Sequence, residues 1–256
     1  MSTNALAEIM AKLDRADTHL DSIEAAVDEW VATGPCELVM DCDTKTREHR
    51  FRLRVFEPPP ATSLNIPISE CVHHMRTALD HIGYRLAVHV GGNPPPNEAS
   101  SGFPICRDPK HFARSLSNKI GKPKAIPPTM RTALEIAQPY YGGNTPNLTM
   151  LRDLHDCDKH RFPPLLAAVG EATQVNIESF TGSGFQGPFL GPLKDGAIIL
   201  SFTPTPNAIV NMDVRARFDV AFGPGYPGDS AYVLPYLRHI LAYIRDTLIP
   251  SLTTFL

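Results

Sequence analysis

The sequence predicts an α+β protein in which a helical core carries a β-hairpin and a lobe of antiparallel β-sheet. Three long segments have apolar residues alternately three and four positions apart, which is typical of helices that pack on one another. Other stretches alternate apolar and polar residues, as half-buried strands do. We expect the 256 residues to form one domain. Its helical core would comprise residues 1–35, 61–165 and 229–256, and its β elements residues 36–57 and 170–224.

The first apolar pattern lies near the N-terminus and predicts a long helix over residues 3–31. Its apolar stripe consists of Leu6, Ile9, Leu13, Ala16, Leu20, Ile23, Val27 and Trp30. A helix of this kind needs a partner that covers its stripe, either another helix or a second copy of the chain. We therefore expect the first and last helices to lie side by side, and a homodimer to form through the long helices.

Residues 36–56 predict a β-hairpin whose second strand has a basic outer face. Three apolar residues of that strand alternate with Arg50, Arg52 and Arg54. A row of arginines is typical of a solvated strand face or of an edge protected against aggregation. It would also suit contact with a phosphate backbone, in which case the three arginines guide a substrate.

The second long helix is predicted to begin with Pro67 in its first turn and to end before two glycines. Four polar residues run along one edge of its apolar stripe: Ser69, His73, Arg76 and Asp80. Arg76 and Asp80 are four residues apart, which allows an ion pair on the helix surface. Alternatively, because charged groups beside a buried stripe need partners, other helices complete a polar site here.

Residues 107–131 are locally basic, and only Asp108 opposes their positive charge. The basic residues are Arg107, Lys110, Arg114, Lys119, Lys122, Lys124 and Arg131. Short helices are expected over about 109–119 and 127–137. Aromatic residues are not interleaved with these charges in the stacking pattern of a single-strand nucleic-acid binder, so the segment favours a solvated surface.

A further helix is expected from Thr145–Pro146 to about Arg161. Asp158 falls on its apolar face, with His155 on one side and Arg161 on the other. A carboxylate on an apolar stripe needs a partner, because burying an isolated charge is unfavourable. Arg76 of the preceding long helix is the expected partner.

From about residue 172 the pattern becomes typical of β-structure. Strands are expected over residues 172–181, 196–203 and 210–222, in an antiparallel sheet with one exposed face. A third long helix follows from Leu234, with a kink or stop at Pro250.

The composition limits the class of protein. A net charge of -3 and a pI near 6.4 give no overall signature of nucleic-acid binding. No apolar run reaches the roughly 20 residues of a membrane span, and the N-terminus lacks the pattern of a signal peptide. The five cysteines form no C-x-x-C pattern and indicate reduced thiols. We expect a cytoplasmic protein without membrane contact and without a cofactor.

Three common enzyme motifs are absent from the sequence: G-x-x-x-x-G-K-[S/T], G-x-S-x-G and H-E-x-x-H. Glu70 and His73 have the three-residue spacing of di-iron bundle proteins, but a second Glu-x-x-His is lacking. A hydrolase or oxygenase with a metal held by Glu70, His73 and residues of the 153–160 helix stays an alternative. No metal ligand is assigned.

Arg76 and His81 form an R-x4-H pattern that resembles the R-x4-6-H motif of HEPN-type proteins. These are helical bundles, and many of them are metal-independent ribonucleases. The resemblance implies that His81 or His160 transfers a proton during attack of a ribose 2′-OH, while Arg76 stabilises charge on the phosphorane-like transition state. Asp80 and Asp158 would orient the cationic groups. On a straight helix Arg76 and His81 point about 140° apart, so they converge only if the helix is distorted or a second chain completes the site.

The order of motifs also resembles a family of proteins found in actinobacteria and related bacteria, whose activity is not established. The shared pattern covers roughly residues 5–165. Its motifs are H-x-x-R-[S/T]-A-L-D-H at 73–81, F-P-I at 103–105, Q-P-Y at 138–140 and D-K-H-R at 158–161. The resemblance implies that the first and last of these motifs share one site. In that family the position of His81 can hold an aromatic residue, which favours a working set without it: Arg76, Asp80, Asp158 and His160.

Two functions therefore stay open beside the metal enzyme. The first is a metal-independent ribonuclease, with RNA bound by the basic strand and by three further side chains, namely His73, His155 and Arg161. The second is a non-catalytic protein that binds a ligand or a partner. In that case the Arg/Asp/His cluster is a buried network that fixes the register of the helices.

Overall fold

A computed structural model describes residues 3–142, 148–170, 174–179, 181–206, 208 and 211–256, and the chain is of the predicted α+β class. The described α-helices are α1 (Thr3–Ala32), α2 (Ala61–Gly91), α3 (Pro109–Lys119), α4 (Pro128–Ile136), α5 (Leu148–Asp158), α6 (Val233–Tyr243) and α7 (Ile249–Leu252). The described strands are β1 (Cys36–Cys42), β2 (His49–Val55), β3 (Leu165–Val169), β4 (Gln174–Ser179), β5 (Gly182–Gln186), β6 (Gly191–Pro192), β7 (Ile198–Pro204), β8 (Asn211–Arg215) and β9 (Phe218–Phe222).

The contacts divide the chain into two compact units. The helical unit comprises the chain up to Ser22, together with Ile66–Phe162 and Pro235–Leu256. The β unit comprises Ile23–Asn65 and Pro163–Leu234, and it contains every described strand. The single-domain organisation stays a prediction. Among the described residues, no helix is both long enough and apolar enough to cross a membrane.

The first helix confirms the N-terminal prediction. Every residue of its predicted stripe is buried except Leu6, which is half-buried, and Ala5 is buried beside it. Within the helical unit, the Arg245 guanidinium donates hydrogen bonds to Asp17 at 3.0 Å and to Asp14 at 2.9 Å. These bonds place the last helix beside the first, as predicted.

The second long helix begins at Ala61, so the prediction that Pro67 lies in its first turn is wrong. The carbonyl of Pro60 accepts the N–H of Leu64, and the run of three prolines therefore ends where the helix starts. Pro67 lies inside the helix, where its missing N–H leaves one carbonyl of the preceding turn without its usual donor. The helix ends at Gly91, one residue beyond the predicted end, and Gly92 follows in the expected left-handed conformation with a φ of +92°.

The C-terminal helix does not stop at Pro250. After α6, a π-helical stretch over Ile244–Leu248 leads directly into α7. The N–H of Ile249 donates to the Ile244 carbonyl, five residues back, as in a π-helix. Pro250 lies in the first turn of α7, where a proline is tolerated.

The two short helices are confirmed by α3 and α4. The Asp108 carboxylate caps α3 by accepting the His111 N–H at 2.7 Å. The predicted helix start at Thr145–Pro146 lies outside the described residues. Since α5 ends at Asp158, the helix stops before the predicted Arg161.

The predicted hairpin is confirmed by the antiparallel pairing of β1 and β2, with Cys36 opposite Val55. Leu53 is buried and Arg54 is exposed, as the alternation requires. Strand β7 pairs with β2 and with β5, which gives an antiparallel sheet in the order β1–β2–β7–β5.

The strand predicted over 210–222 is two strands in the structure. Strand β8 pairs with β4, whereas β9 pairs with β3. At the change of partner, the Gly170 N–H donates to the Arg217 carbonyl at 2.7 Å. The second group of strands begins at Leu165 and not at the predicted residue 170. The prediction missed β3 because this strand is an apolar run without the polar alternation that identifies a half-buried strand.

Candidate functional site

An extended segment of the helical unit, residues 103–106, is buried although it belongs to no helix or strand. Buried backbone groups need hydrogen-bond partners, because an unpaired N–H or C=O is destabilising. The Asp80 carboxylate of α2 accepts the Phe103 N–H at 3.2 Å. The Arg76 guanidinium donates to the Phe103 carbonyl at 3.5 Å. Two residues of the predicted polar column therefore hold the backbone of the F-P-I motif.

Two further side chains hold the remainder of the 103–106 segment. Gln138, which is fully buried, accepts the Cys106 N–H at 2.9 Å and donates to the Pro104 carbonyl at 3.0 Å. Arg152 of α5 donates to the Ile105 carbonyl at 3.1 Å. The F-P-I and Q-P-Y motifs and the Arg76–Asp80 pair therefore meet at one stretch of backbone.

The approach of this loop to α2 depends on Gly83. A Cβ atom at position 83 would lie 2.1 Å from the carbonyl carbon of Gly102 and 2.3 Å from the nitrogen of Phe103. Backbone therefore packs directly on backbone at this point, which only glycine permits.

Arg76 and Asp80 form an ion pair, with 2.7 Å between Arg76 Nη2 and Asp80 Oδ1. The Arg76 side chain is only 12% exposed, against 40% for Asp80. Burial lowers the pKa of Arg76, and the neighbouring Asp80 and Asp156 carboxylates oppose this effect. Arg76 Nη1 is buried and has no hydrogen-bond partner within the described part of the chain. The contacts of this mostly buried guanidinium are therefore with Asp80 and with the Phe103 carbonyl inside the protein.

An open pocket of about 570 Å³ lies beside the Arg76–Asp80 pair, and the turn at residues 100–102 forms part of its wall. The remainder of its wall includes one face of α3, with His111, Arg114, Ser115, Asn118 and Lys119. Phe112 and Leu116 are buried on the other face of the same helix. We call this cavity the basic pocket.

The basic pocket has an excess of positive charge. Asp80 is its only carboxylate among the described lining residues, and Arg76 offsets that charge. Arg114 and Lys119 form no ion pair with any described residue. Guanidinium and ammonium groups of this kind bind phosphate or carboxylate oxygens.

The structure places His111 at the basic pocket, and sequence reasoning missed it. His81 is half-buried and does not line the pocket, and it makes no hydrogen bond or ion pair with the residues that the structure describes. The spacing of His111, Arg114, Ser115 and Asn118 was the available signal, because these positions share one helical face. The catalytic role of His81 stays a prediction.

The prediction that Asp158 pairs with Arg76 is wrong. Asp158 instead accepts a hydrogen bond from the hydroxyl of Ser69, another member of the polar column on α2. Because Asp158 is only half-buried, a hydroxyl together with solvent can satisfy it. His160 and Arg161 follow the end of α5, are exposed and do not line the basic pocket.

Four histidines of the helical unit lie in a row. The ring centroids of His155 and His73 are 5.8 Å apart, those of His73 and His74 are 5.7 Å apart, and those of His74 and His19 are 5.4 Å apart. Two predicted substrate-binding residues, His73 and His155, are thus in contact. Burial lowers the pKa of His19, His74 and His155. Within the described ranges, no three His, Cys, Asp or Glu side chains are grouped as metal ligands.

The arginine row of the hairpin belongs to the β unit. Each arginine faces a carboxylate: Arg50 with Glu48 at 2.6 Å, Arg52 with Asp41 at 2.5 Å and Arg54 with Glu37 at 3.9 Å. This pairing neutralises much of the positive charge and suits the predicted solvated strand face. A role in guiding a substrate stays a prediction.

Comparisons with protein-family models, with curated proteins and with solved structures found no match to this chain. The resemblances to HEPN-type proteins and to the actinobacterial family therefore rest on the sequence motifs.

Proposed function

We propose that this protein binds a phosphate-bearing ligand in the basic pocket. The observation that supports the proposal is the presence of Arg114 and Lys119 on one wall of the cavity, where Arg76 already offsets the single carboxylate among the described lining residues. The Asn118 side-chain amide lies in the same wall and supplies a neutral donor. Phosphate oxygens accept charge-assisted hydrogen bonds from such groups, which are stronger than bonds between neutral partners.

In this proposal the Arg76–Asp80 pair is structural. Both side chains hold the backbone of Phe103, and the adjoining turn at 100–102 forms a wall of the pocket. The geometry therefore favours a non-catalytic ligand-binding protein, with the exposed residues of α3 as its ligand contacts.

The test is a calorimetric titration of the protein at low salt with inorganic phosphate and with ribose 5-phosphate. We expect both to bind, and we expect Arg114→Ala to weaken binding about tenfold, which corresponds to one charge-assisted hydrogen bond of about 1.4 kcal/mol. Lys110→Ala is the matched control, because Lys110 is an exposed cation of the same helix that does not line the pocket. An equal loss in the two variants would show that only the general charge of α3 matters. Failure of wild type to bind either probe would refute the proposal.

A second candidate function is the metal-independent ribonuclease, and the position of His111 in the same pocket as Arg76 favours it. In that reaction a base removes the proton of a ribose 2′-OH, and the 2′ oxygen forms a bond to the adjacent phosphorus. The bond from phosphorus to the 5′ oxygen of the next nucleotide then breaks, which gives a cyclic phosphate and a 5′-hydroxyl. We propose His111 for proton transfer and Arg76 for stabilising the phosphorane charge.

RNA cleavage in the presence of EDTA tests this candidate with wild type, His111→Ala, His81→Ala and His160→Ala. We expect His111→Ala to abolish cutting while its melting temperature stays unchanged, since His111 is exposed. Loss of cutting only in His81→Ala or His160→Ala would return the proton transfer to the residue that the motifs indicate. Cutting that EDTA abolishes would favour a metal-dependent hydrolase instead. If wild type binds phosphate but cuts nothing, the ribonuclease is excluded and the binding protein stands.

We also propose a HEPN-like arrangement of the helices, a homodimer formed through the long helices and a cytoplasmic location. All three rest on the sequence patterns. Sedimentation equilibrium tests the dimer directly, and a mass of one chain at micromolar concentration would refute it.

A further inference from the structure

A second cavity, of about 340 Å³, lies in the helical unit. Ala87 and Val90 of α2, the consecutive prolines 95 and 96, and Ile120 after α3 give it an apolar interior. Asn97, Ser117 and Asn118 contribute polar groups to its wall. We call it the apolar pocket.

The apolar pocket and the basic pocket are neighbours. Ser101, Asn118 and Lys119 line both of them. The wall that they share is braced, because the Asn118 carbonyl accepts hydrogen bonds from the Asn97 amide at 3.2 Å and from the Ser100 hydroxyl at 3.3 Å. The side-chain amide of Asn118 makes no hydrogen bond with any described residue, so its donor and acceptor are available to a ligand.

We propose that the two pockets form one site for a nucleotide unit, with the base in the apolar pocket and the phosphate in the basic pocket. The inference rests on the proposed phosphate binding and adds to it the chemical class of the ligand. A base has flat apolar faces and a hydrogen-bonding edge. Aliphatic side chains and proline rings can pack on the faces, while Asn97, Asn118 and Ser117 can bond the edge.

The shape of the site argues for a compact group joined closely to its phosphate. Lys119, which carries an ammonium group, lines both cavities. A positively charged side chain therefore belongs to the wall of the apolar pocket as well as to that of the basic pocket. A nucleotide meets this requirement, because a single sugar separates its base from its phosphate.

The experiment compares three probes by calorimetry: a nucleoside 5′-monophosphate, the same nucleoside without phosphate, and ribose 5-phosphate. Each of the four common bases is tried. We expect at least one nucleotide to bind tenfold or more tightly than both of its fragments. Ala125→Phe should remove that advantage by filling the apolar pocket, because the exposed Ala125 is part of its lining. It should leave the affinity for ribose 5-phosphate unchanged.

Thr129→Phe is the matched control, since Thr129 is also exposed, lies four residues further along and lines neither pocket. If ribose 5-phosphate binds as tightly as every nucleotide, the inference is overturned while the phosphate site stands. If no phosphate compound binds, the proposed function fails as well. If Ala125→Phe lowers the affinity for ribose 5-phosphate as much as the affinity for the nucleotide, the inference is also overturned, because the proposed phosphate contacts lie outside the filled pocket.

A short oligoribonucleotide identifies the source of the nucleotide unit. If it binds more tightly than the best nucleotide and Ala125→Phe removes the difference, the site takes one unit of an RNA chain. If it binds no better than the free nucleotide, the ligand is the free compound. Both outcomes support the nucleotide site, whereas binding of the oligonucleotide that neither Ala125→Phe nor Arg114→Ala weakens would contradict it.

Discussion

Replacing Gly83 by alanine would test how the 103–106 segment is held against α2. The new Cβ would lie 2.1 Å from the carbonyl carbon of Gly102 and 2.3 Å from the nitrogen of Phe103. Non-bonded carbon atoms in contact are about 3.5–4.0 Å apart. The backbone at residues 102 and 103 would therefore have to move by more than about 1 Å, since a Cβ is fixed to its helix.

The expected loss of stability follows from three opposing effects. In an exposed helix, the change from glycine to alanine stabilises by about 1 kcal/mol. Here overpacking would destabilise by about 1–3 kcal/mol. Displacing Phe103 would also break its hydrogen bond to the Asp80 carboxylate, and bonds to charged groups contribute about 1.5–3 kcal/mol. We expect Gly83→Ala to lower the free energy of unfolding by about 2–4 kcal/mol.

Urea denaturation followed by circular dichroism measures this difference. Gly102→Ala is the matched comparison, because a Cβ there would meet only the Asp80 Oδ1 at 2.7 Å. Displacing that carboxylate would break its bond to the Phe103 N–H but would leave the backbone of residues 102 and 103 in place. It should therefore destabilise the protein less than Gly83→Ala does. A Gly83→Ala protein that is as stable as wild type, or more stable, would refute the packing of the segment on α2.

Three further predictions depend on how deeply particular side chains are buried. Gln138→Leu should lower the free energy of unfolding by about 3 kcal/mol in urea, because it leaves buried backbone groups of the 103–106 segment unpaired, and a change below 1 kcal/mol would contradict this. Cys42 is exposed, whereas burial raises the pKa of Cys71 to about 12, so a thiol reagent at pH 8 should modify Cys42 first and Cys71 only on unfolding, as peptide mass mapping would show. Burial lowers the pKa of His19 and His74 below the ordinary value of 6.5, so the unfolded chain binds protons more readily and stability should fall as the pH decreases through 6.5. Urea midpoints at pH 7.5 and 5.5 measure that loss, which His74→Gln should reduce.

The elements that the sequence predicted well are those with a strong local signal. The stripe of α1 and the proline-started helices α3 and α4 were placed within one or two residues, since spacing and end residues determine such helices. Strand β3 was missed because an apolar run without alternation is ambiguous. The break between β8 and β9 depends on a change of pairing partner, which no local pattern records.

The same distinction applies to the candidate site. The Arg76–Asp80 pair was predicted because residues four apart on a helix are neighbours. The contact of Ser69 with Asp158 joins two different helices, and so does the pocket that His111 lines together with Arg76. Spacing along one helix cannot supply a relation between two helices. Each depends on how the helices pack.

The burial of Arg76 separates its role from that of the exposed cations. Arg76 and Asp80 hold the backbone at Phe103, so replacing either should first alter folding and the wall of the basic pocket. Arg114 is exposed, so replacing it should alter binding and leave the free energy of unfolding within about 0.5 kcal/mol of wild type. If Arg114→Ala binds phosphate normally while Arg76→Lys keeps its stability and loses binding, the guanidinium of Arg76 itself contacts the ligand. The opposite pattern assigns recognition to α3 and leaves the motif residues as supports of the 103–106 segment.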